Sequence, residues 1–551
     1  MLRFLPLLAA TAIFLTACGG DQPGTDDAGT PAGAARRENI LHLGGGIGGT
    51  HMDWMKTVYN RAGMSEIVQL PLTAYDKDGV LHGMAAESWS VSEDGLTWTF
   101  ALRDSLVWSD GTPLTAHDYA FALTRAVGQG YDFSWYWSSA ADVSNWAAVE
   151  SGDLPVADLG VAAVDDGTLV LTTNQPKVYI PGVSVFWFPV PRHVQGRYGD
   201  EWAASDAHYV SSGPFELTEW RRGDRIVMRR NPAYRGPWKA QADGIIVYPQ
   251  LGDPAVGFPA YLAGDLDMTE VNVGQLAYAA DRLSGQLRSG TVFGLYYLAF
   301  DVSKPPFDNV HVRRALMYAV DRDELTRTVL RNVAVPARTL LAPGFPGHNP
   351  AIAEATRFDP ERARRELAEA GYAGGEGFPE VSLWWRIEGG HGATVAGPMA
   401  QYLQAQLGEV LGIDIEIQGL ELKTWMDGLA RGENSFFQAP YMRDYLDPSN
   451  FFSIFVCGGR HNWVHPEYTA LVREANETMD WRRRAELYDR AQRILVDEAA
   501  FPFLVHPQSN RLVKPYIAGQ GAEPNANGDY FTADPLYHNT HMHIDGALGD
   551  G

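Results

Sequence analysis

Residues 96–103 alternate apolar and polar side chains with period two, the pattern of a strand that buries one face, and residues 160–173 hold two short apolar runs. The turn-forming run Ser92-Glu93-Asp94-Gly95 precedes the first of them. Within the second, Asp165, Asp166 and Gly167 separate two apolar runs and predict a hairpin whose glycine takes a positive φ. Another strand pair is expected over residues 213–232, turning at Arg222, Gly223 and Asp224. Helical spacing appears elsewhere. Thr115 with Asp118 three residues on predicts a capped helix over 115–127. Asp359, Pro360 and Gly371 bracket a second helix with an N-cap, a first-turn proline and a terminating glycine. Val312, Ala315, Leu316, Ala319 and Val320 share one helical face, as do Leu487, Tyr488, Ala491, Ile494 and Leu495. Hairpins early and helices alternating with strands later predict a mixed α/β protein of more than one lobe.

The first residues break this pattern. Arg3, an apolar run from Phe4 to Leu15 and small residues before Cys18 have the form of a secretory signal. The run is too short to span a bilayer, which takes about 20 residues. Leu15-Thr16-Ala17-Cys18 resembles the bacterial lipobox, which implies cleavage before Cys18 and lipidation of its sulfur. Residues 19–37 are mostly Gly, Pro, Asp and Ala and cannot bury a core, so they read as a flexible linker. Folded sequence is expected from Glu38. The other cysteine, Cys457, would have no disulfide partner once Cys18 is lipidated and reads as a small buried hydrophobe.

Length and charge narrow the possibilities further. A chain of 551 residues is expected to form two or three domains. A net charge of −23 excludes nucleic acid and anionic membrane as main partners. Sixteen Trp, 24 Tyr and 23 Phe suffice to fill cores and still line a ligand cleft. Gly44, Gly46 and Gly49 follow an apolar strand with the spacing of a dinucleotide-binding turn. The downstream acid, Glu66, precedes an apolar run instead of following a second strand, where it would meet a ribose. The glycines are therefore expected to form a flexible turn after the first strand. No nucleophile elbow, zincin, P-loop or paired-cysteine motif occurs, so the chain reads as a non-enzyme that needs no cofactor. His541 and His543 are expected on one face of a strand near His538; without an acidic or cysteine partner they read as solvated, not as a metal site.

Five blocks, residues 85–125, 211–236, 296–325, 442–452 and 465–519, occur in the order found in a known family. They resemble the oligopeptide-binding branch of the bacterial periplasmic solute-binding proteins (extracellular solute-binding proteins, family 5). The resemblance implies two lobes that close about a hinge, with a small domain inserted in the first. Lobe I would comprise 38–74, 192–294 and 511–551, the inserted domain 75–191, and lobe II 295–510. It further implies a monomeric, lipid-anchored protein, periplasmic or at the cell surface. Such a protein captures short peptides and hands them to the permease of an ABC importer. A non-peptide solute such as a metal chelate or an oligosaccharide is the alternative ligand.

The resemblance also assigns residues. Asp444 would hold the ligand's α-ammonium, a task that suits a cleft carboxylate because a desolvated cation needs a charged acceptor. Tyr441 stands where relatives have tryptophan. Arg443 replaces a small residue and is expected to pair with Asp444 or with a ligand carboxylate. His391 aligns with a histidine that meets the peptide's C-terminus, while Leu429 and Gln438 occupy positions that are basic in close relatives. The inserted domain would add an aromatic contact from among Tyr131, Trp135, Tyr136 and Trp137, with core packing as the other use of these rings. Asp447, before Pro448, reads as a turn residue.

Overall fold

The structure, a computed structural model, describes residues 38–45, 49–57, 62–387, 393–456, 461–531 and 534–546. Cys18, Gly46, His391 and Cys457 lie outside them. Among the described residues no helix is long and apolar enough to cross a membrane.

Two sheet halves share one long strand, Phe503–Val513. In the first half, Ile40–Gly44 runs parallel to Gly244–Tyr248 and touches Met268–Glu270 on its other side. Arg225–Arg230 and Phe215–Arg221 extend this half as an antiparallel pair. They turn at Gly223, whose φ of 75° is readily adopted only without a Cβ. In the second half, Gly294–Phe300 pairs antiparallel with Phe436–Met442, and Val381–Ile387 runs parallel to Ile415–Glu421. The C-terminal part of Phe503–Val513 pairs with Met268–Glu270 and Leu287–Thr291, and its N-terminal part with Gly294–Phe300. The result is a two-lobed α/β fold whose halves are joined through this strand.

The second lobe shows why its central strand carries an unbroken apolar run. All seven residues of Gly294–Phe300 are buried. Leu295, Tyr297 and Ala299 pack into one core beneath helices Pro466–Glu477 and Trp481–Asp497. Tyr296, Leu298 and Phe300 enter another, beneath helices Val310–Tyr318 and Ala393–Leu411. A strand covered on both faces has no polar side to alternate.

A separate four-stranded sheet, ordered Ala86–Val91, Thr97–Leu102, Thr168–Thr172, Val161–Ala163, carries helix Ala116–Thr124. That helix opens with the expected capping box, the Thr115 amide donating to the Asp118 carboxylate at 2.9 Å. Its core merges with that of the first lobe: Trp98 and Phe100 belong to the same cluster as Leu41 and Leu43. The 161–172 hairpin forms, but the expected positive φ at Gly167 does not occur. Instead the Asp165 carboxylate accepts from the Gly167 amide at 2.9 Å, and this side-chain hydrogen bond shapes the turn.

Candidate binding cleft

Asp444 follows strand Phe436–Met442 at the edge of the second lobe. The Tyr441 hydroxyl donates to its Oδ2 at 2.9 Å, and Asn450 Nδ2 donates to the same oxygen at 3.0 Å. Asn450 Oδ1 in turn accepts from the Asp444 amide at 3.0 Å. Both side-chain donors reach one oxygen, so the carboxylate is held through Oδ2, and no hydrogen bond to Oδ1 is found among the described residues. Burial raises its pKa above the usual carboxylate range, against the pull of these hydrogen bonds and of Arg443.

Around Asp444 lies a cavity of about 330 Å³. Arg443, Asp534 and Glu66 also line it, and much of the remaining wall is Trp54, Phe186, Phe188 and Phe293. Arg443 does not make its close ion pair with Asp444. Its Nη1 lies 3.9 Å from Asp534 Oδ1, and its guanidinium sits over the Phe293 ring at 5.8 Å. Asp534 comes from the C-terminal segment, directly before helix Pro535–Thr540, and accepts from the Tyr75 amide at 2.7 Å. Its pKa too is raised by burial. Leu536 beside it belongs to the first-lobe core, so the Arg443–Asp534 pair bridges the two lobes.

A larger cavity of about 930 Å³ shares Glu66 and Pro535 with the first. Gly44 and Gly45 form part of its wall, with Glu270, Arg386, Arg511 and His538. Arg511 pairs with Glu270 at 3.3 Å, and its guanidinium covers the Phe531 ring at 4.9 Å. His538 is held neutral by burial, its pKa pushed down to about 4, and its Nδ1 lies 2.9 Å from the Gly521 carbonyl oxygen. Gly44 and Gly45, the start of the glycine run, thus lie in the cleft wall. Gly44 is required there: a Cβ would come within 2.6 Å of the Leu251 carbonyl oxygen.

The other sequence candidates separate cleanly. Of the aromatic cluster, Tyr136 and Trp137 are fully buried and Tyr131 donates to Asp200 at 2.8 Å. Trp135 stays 45% exposed in a third cavity of about 670 Å³, which Tyr441, Tyr445 and Asn450 also line. Tyr441 therefore touches the Asp444 site by orienting its carboxylate and faces that third cavity. Gln438 is buried in its strand. His391 is outside the described residues, but Arg386 and Ile387 just before it line the large cavity. The C-terminal histidines do not share a strand face. His541 caps helix Pro535–Thr540, with Nδ1 2.8 Å from the Tyr537 carbonyl oxygen, whereas His543 starts a two-residue strand and contacts Gln241 at 3.0 Å.

Asp534, Arg386 and Arg511 were not legible as site residues. Asp534 before Pro535 carries only an N-cap signal, and nothing local marks either arginine as facing a cleft.

Comparison with known proteins agrees with this architecture. The family described as "Bacterial extracellular solute-binding proteins, family 5 Middle" matches residues 80–463. A probable deoxycholate-binding periplasmic protein, YgiS of Escherichia coli, is 31% identical over 461 residues, covering 81% of this chain and 83% of that one. The periplasmic oligopeptide-binding protein OppA of Haemophilus influenzae is 30% identical over 469 residues, covering 82% and 85%. The crystal structure of H. influenzae OppA in complex with the peptide RPPGFSPFR superposes with a TM-score of 0.72 at 27% identity, covering 92% of this chain and 99% of that one. With its lobes joined through one shared strand and its cleft lined from both, this chain belongs to family 5 of the bacterial extracellular solute-binding proteins, the substrate-binding components of peptide-type ABC importers.

Proposed function

We propose that this protein captures short peptides by their free amino terminus in the cleft and delivers them to a membrane permease, from a lipid anchor at Cys18. It works as a monomeric binding protein without catalysis. The ranges 38–74, 192–294 and 511–551 on one side and 295–510 on the other are the units that close on the ligand, with 75–191 riding on the first. The observation that carries the reading is Asp444: a carboxylate held through Oδ2 by Tyr441 and Asn450 in a small, largely apolar-walled cavity. An ammonium stripped of water there regains a charged acceptor.

The likeness to a protein named for deoxycholate binding supports a second reading, an anionic amphiphile. The charge of the small cavity disfavours it. Among the described residues that line it are three carboxylates, Glu66, Asp444 and Asp534, and one arginine, Arg443, which lies 3.9 Å from Asp534. Titration calorimetry with trialanine, N-acetyl-trialanine and deoxycholate separates the two readings. Binding of the free peptide with loss on acetylation supports the proposal. Equal affinity for both peptides removes Asp444 as the anchor. Heat from deoxycholate alone replaces the peptide reading.

A further inference from the structure

The small cavity also bears on which peptides are taken. An α-ammonium at Asp444 brings the first residue's side chain within reach of the walls of the same cavity, which adjoins the larger one at Glu66 and Pro535. The enclosure is built from two kinds of wall. Its charged groups are Asp444, Arg443, Asp534 and Glu66. Opposed to them is an aromatic surface in which Trp54 stacks on Phe188 at 4.7 Å and tilts against Phe186 at 5.2 Å. Phe293, Val185 and Leu536 continue the apolar lining. A volume of about 330 Å³ has room for several waters or for one bulky side chain. Water against the aromatic side finds few hydrogen-bond partners, and displacing poorly held water with an apolar group gains affinity. With the ligand's ammonium on Asp444 and Arg443 3.9 Å from Asp534, Glu66 alone among the lining carboxylates is left to meet a basic side chain, and it also borders the larger cavity.

We propose that this cavity makes the protein selective for peptides whose first residue carries a bulky apolar side chain, aromatic above all; the inference rests on the reading of Asp444 as the ammonium anchor. The experiment is titration calorimetry of the full chain with Phe-Ala-Ala, Leu-Ala-Ala, Lys-Ala-Ala and Gly-Ala-Ala. Phe-Ala-Ala is expected to bind about tenfold or more tightly than Gly-Ala-Ala or Lys-Ala-Ala. Four measurable but equal affinities overturn the selectivity and leave the anchor standing. If none of the peptides binds, anchor and selectivity fall together. A second measurement uses Val185→Trp, checked for a normal melting transition, to fill the enclosure. The advantage of Phe-Ala-Ala over Gly-Ala-Ala should collapse in that variant; if it persists, the side chain lies elsewhere and the proposal is wrong. Should Val185→Trp not fold, the four-peptide series on the unaltered protein decides by itself.

Discussion

The two cavities of the cleft are built to opposite plans. The one at Asp444 is small, walled by stacked rings and crossed by an ion pair that joins the lobes. The one beside Gly44 is nearly three times larger, and glycine backbone makes up part of its wall. Close walls convert small differences in ligand shape into free energy, because each added methylene either fills a void or clashes. A roomy wall passes such differences by, since water fills whatever the ligand leaves open. For a peptide bound as proposed, the contrast implies discrimination at its amino terminus and tolerance along the remainder.

The strongest way to break the contrast is to remove the charge of Asp444, the proposed anchor. Asp444→Asn keeps the shape of the side chain, so its effect isolates the ion pair with the ligand. We expect free-amino peptides to lose about 3 kcal/mol, roughly 100-fold in Kd by calorimetry, with N-acetylated peptides unaffected. The pH dependence follows from the raised pKa of Asp444. An acid whose pKa is higher when folded binds its proton more tightly in the native state. It therefore costs the unliganded protein stability as pH rises from the unfolded value through the folded one. An ammonium ligand needs the ionised form, so affinity for free-amino peptides falls as pH drops through the raised value. The Asn variant should lack that slope; an unchanged slope would assign the titration to another group.

A smaller effect is expected at the roomy end. Gly44→Val places a Cβ 2.6 Å from the Leu251 carbonyl oxygen and 2.8 Å from Leu266 Cδ1. Overpacking of this kind costs about 2 kcal/mol and should lower the melting temperature without altering discrimination at the first ligand residue. A variant that melts like the unaltered protein would show that the glycine wall yields freely. Least of all, Arg443→Ala should cost about 1 kcal/mol, the scale of a partly exposed ion pair. Thermal denaturation of the unliganded protein measures it, and an unmoved transition would remove this pair as a link between the lobes.

How far these features can be read in advance depends on the range of the interactions that make them. The capping box of Thr115 and Asp118, the N-cap at Asp359 and the turn at Gly223 are set by neighbours within a few residues, and all three were legible. The buried helical faces followed from spacing, with Val312, Ala315 and Leu316 inside as expected. Gly167 misled because a glycine in a tight turn offers a positive φ without requiring one, and Asp165 supplied another solution. The histidines near the C-terminus misled in a related way: two residues apart suits one face of a strand, but the chain turns from helix to strand between them.

The site divides along the same line. Asp444 and its neighbours Tyr441 and Asn450 lie within ten residues, so a local motif and a resemblance sufficed to point at the carboxylate. Asp534, 90 residues further on, meets Arg443 only because the C-terminal helix packs into the first lobe. Sequence by itself determined the elements, their caps and the grouping of Asp444 with Tyr441 and Asn450, because hydrogen bonds between near neighbours and side-chain periodicity are written locally. Tertiary structure alone decided which aromatic ring stayed exposed, which acid faced Asp444 across the cleft, and that the glycine run became a cavity wall. Those outcomes rest on contacts between segments about 90 residues apart or more, whose meeting is set by the packing of whole lobes and not by any stretch of chain.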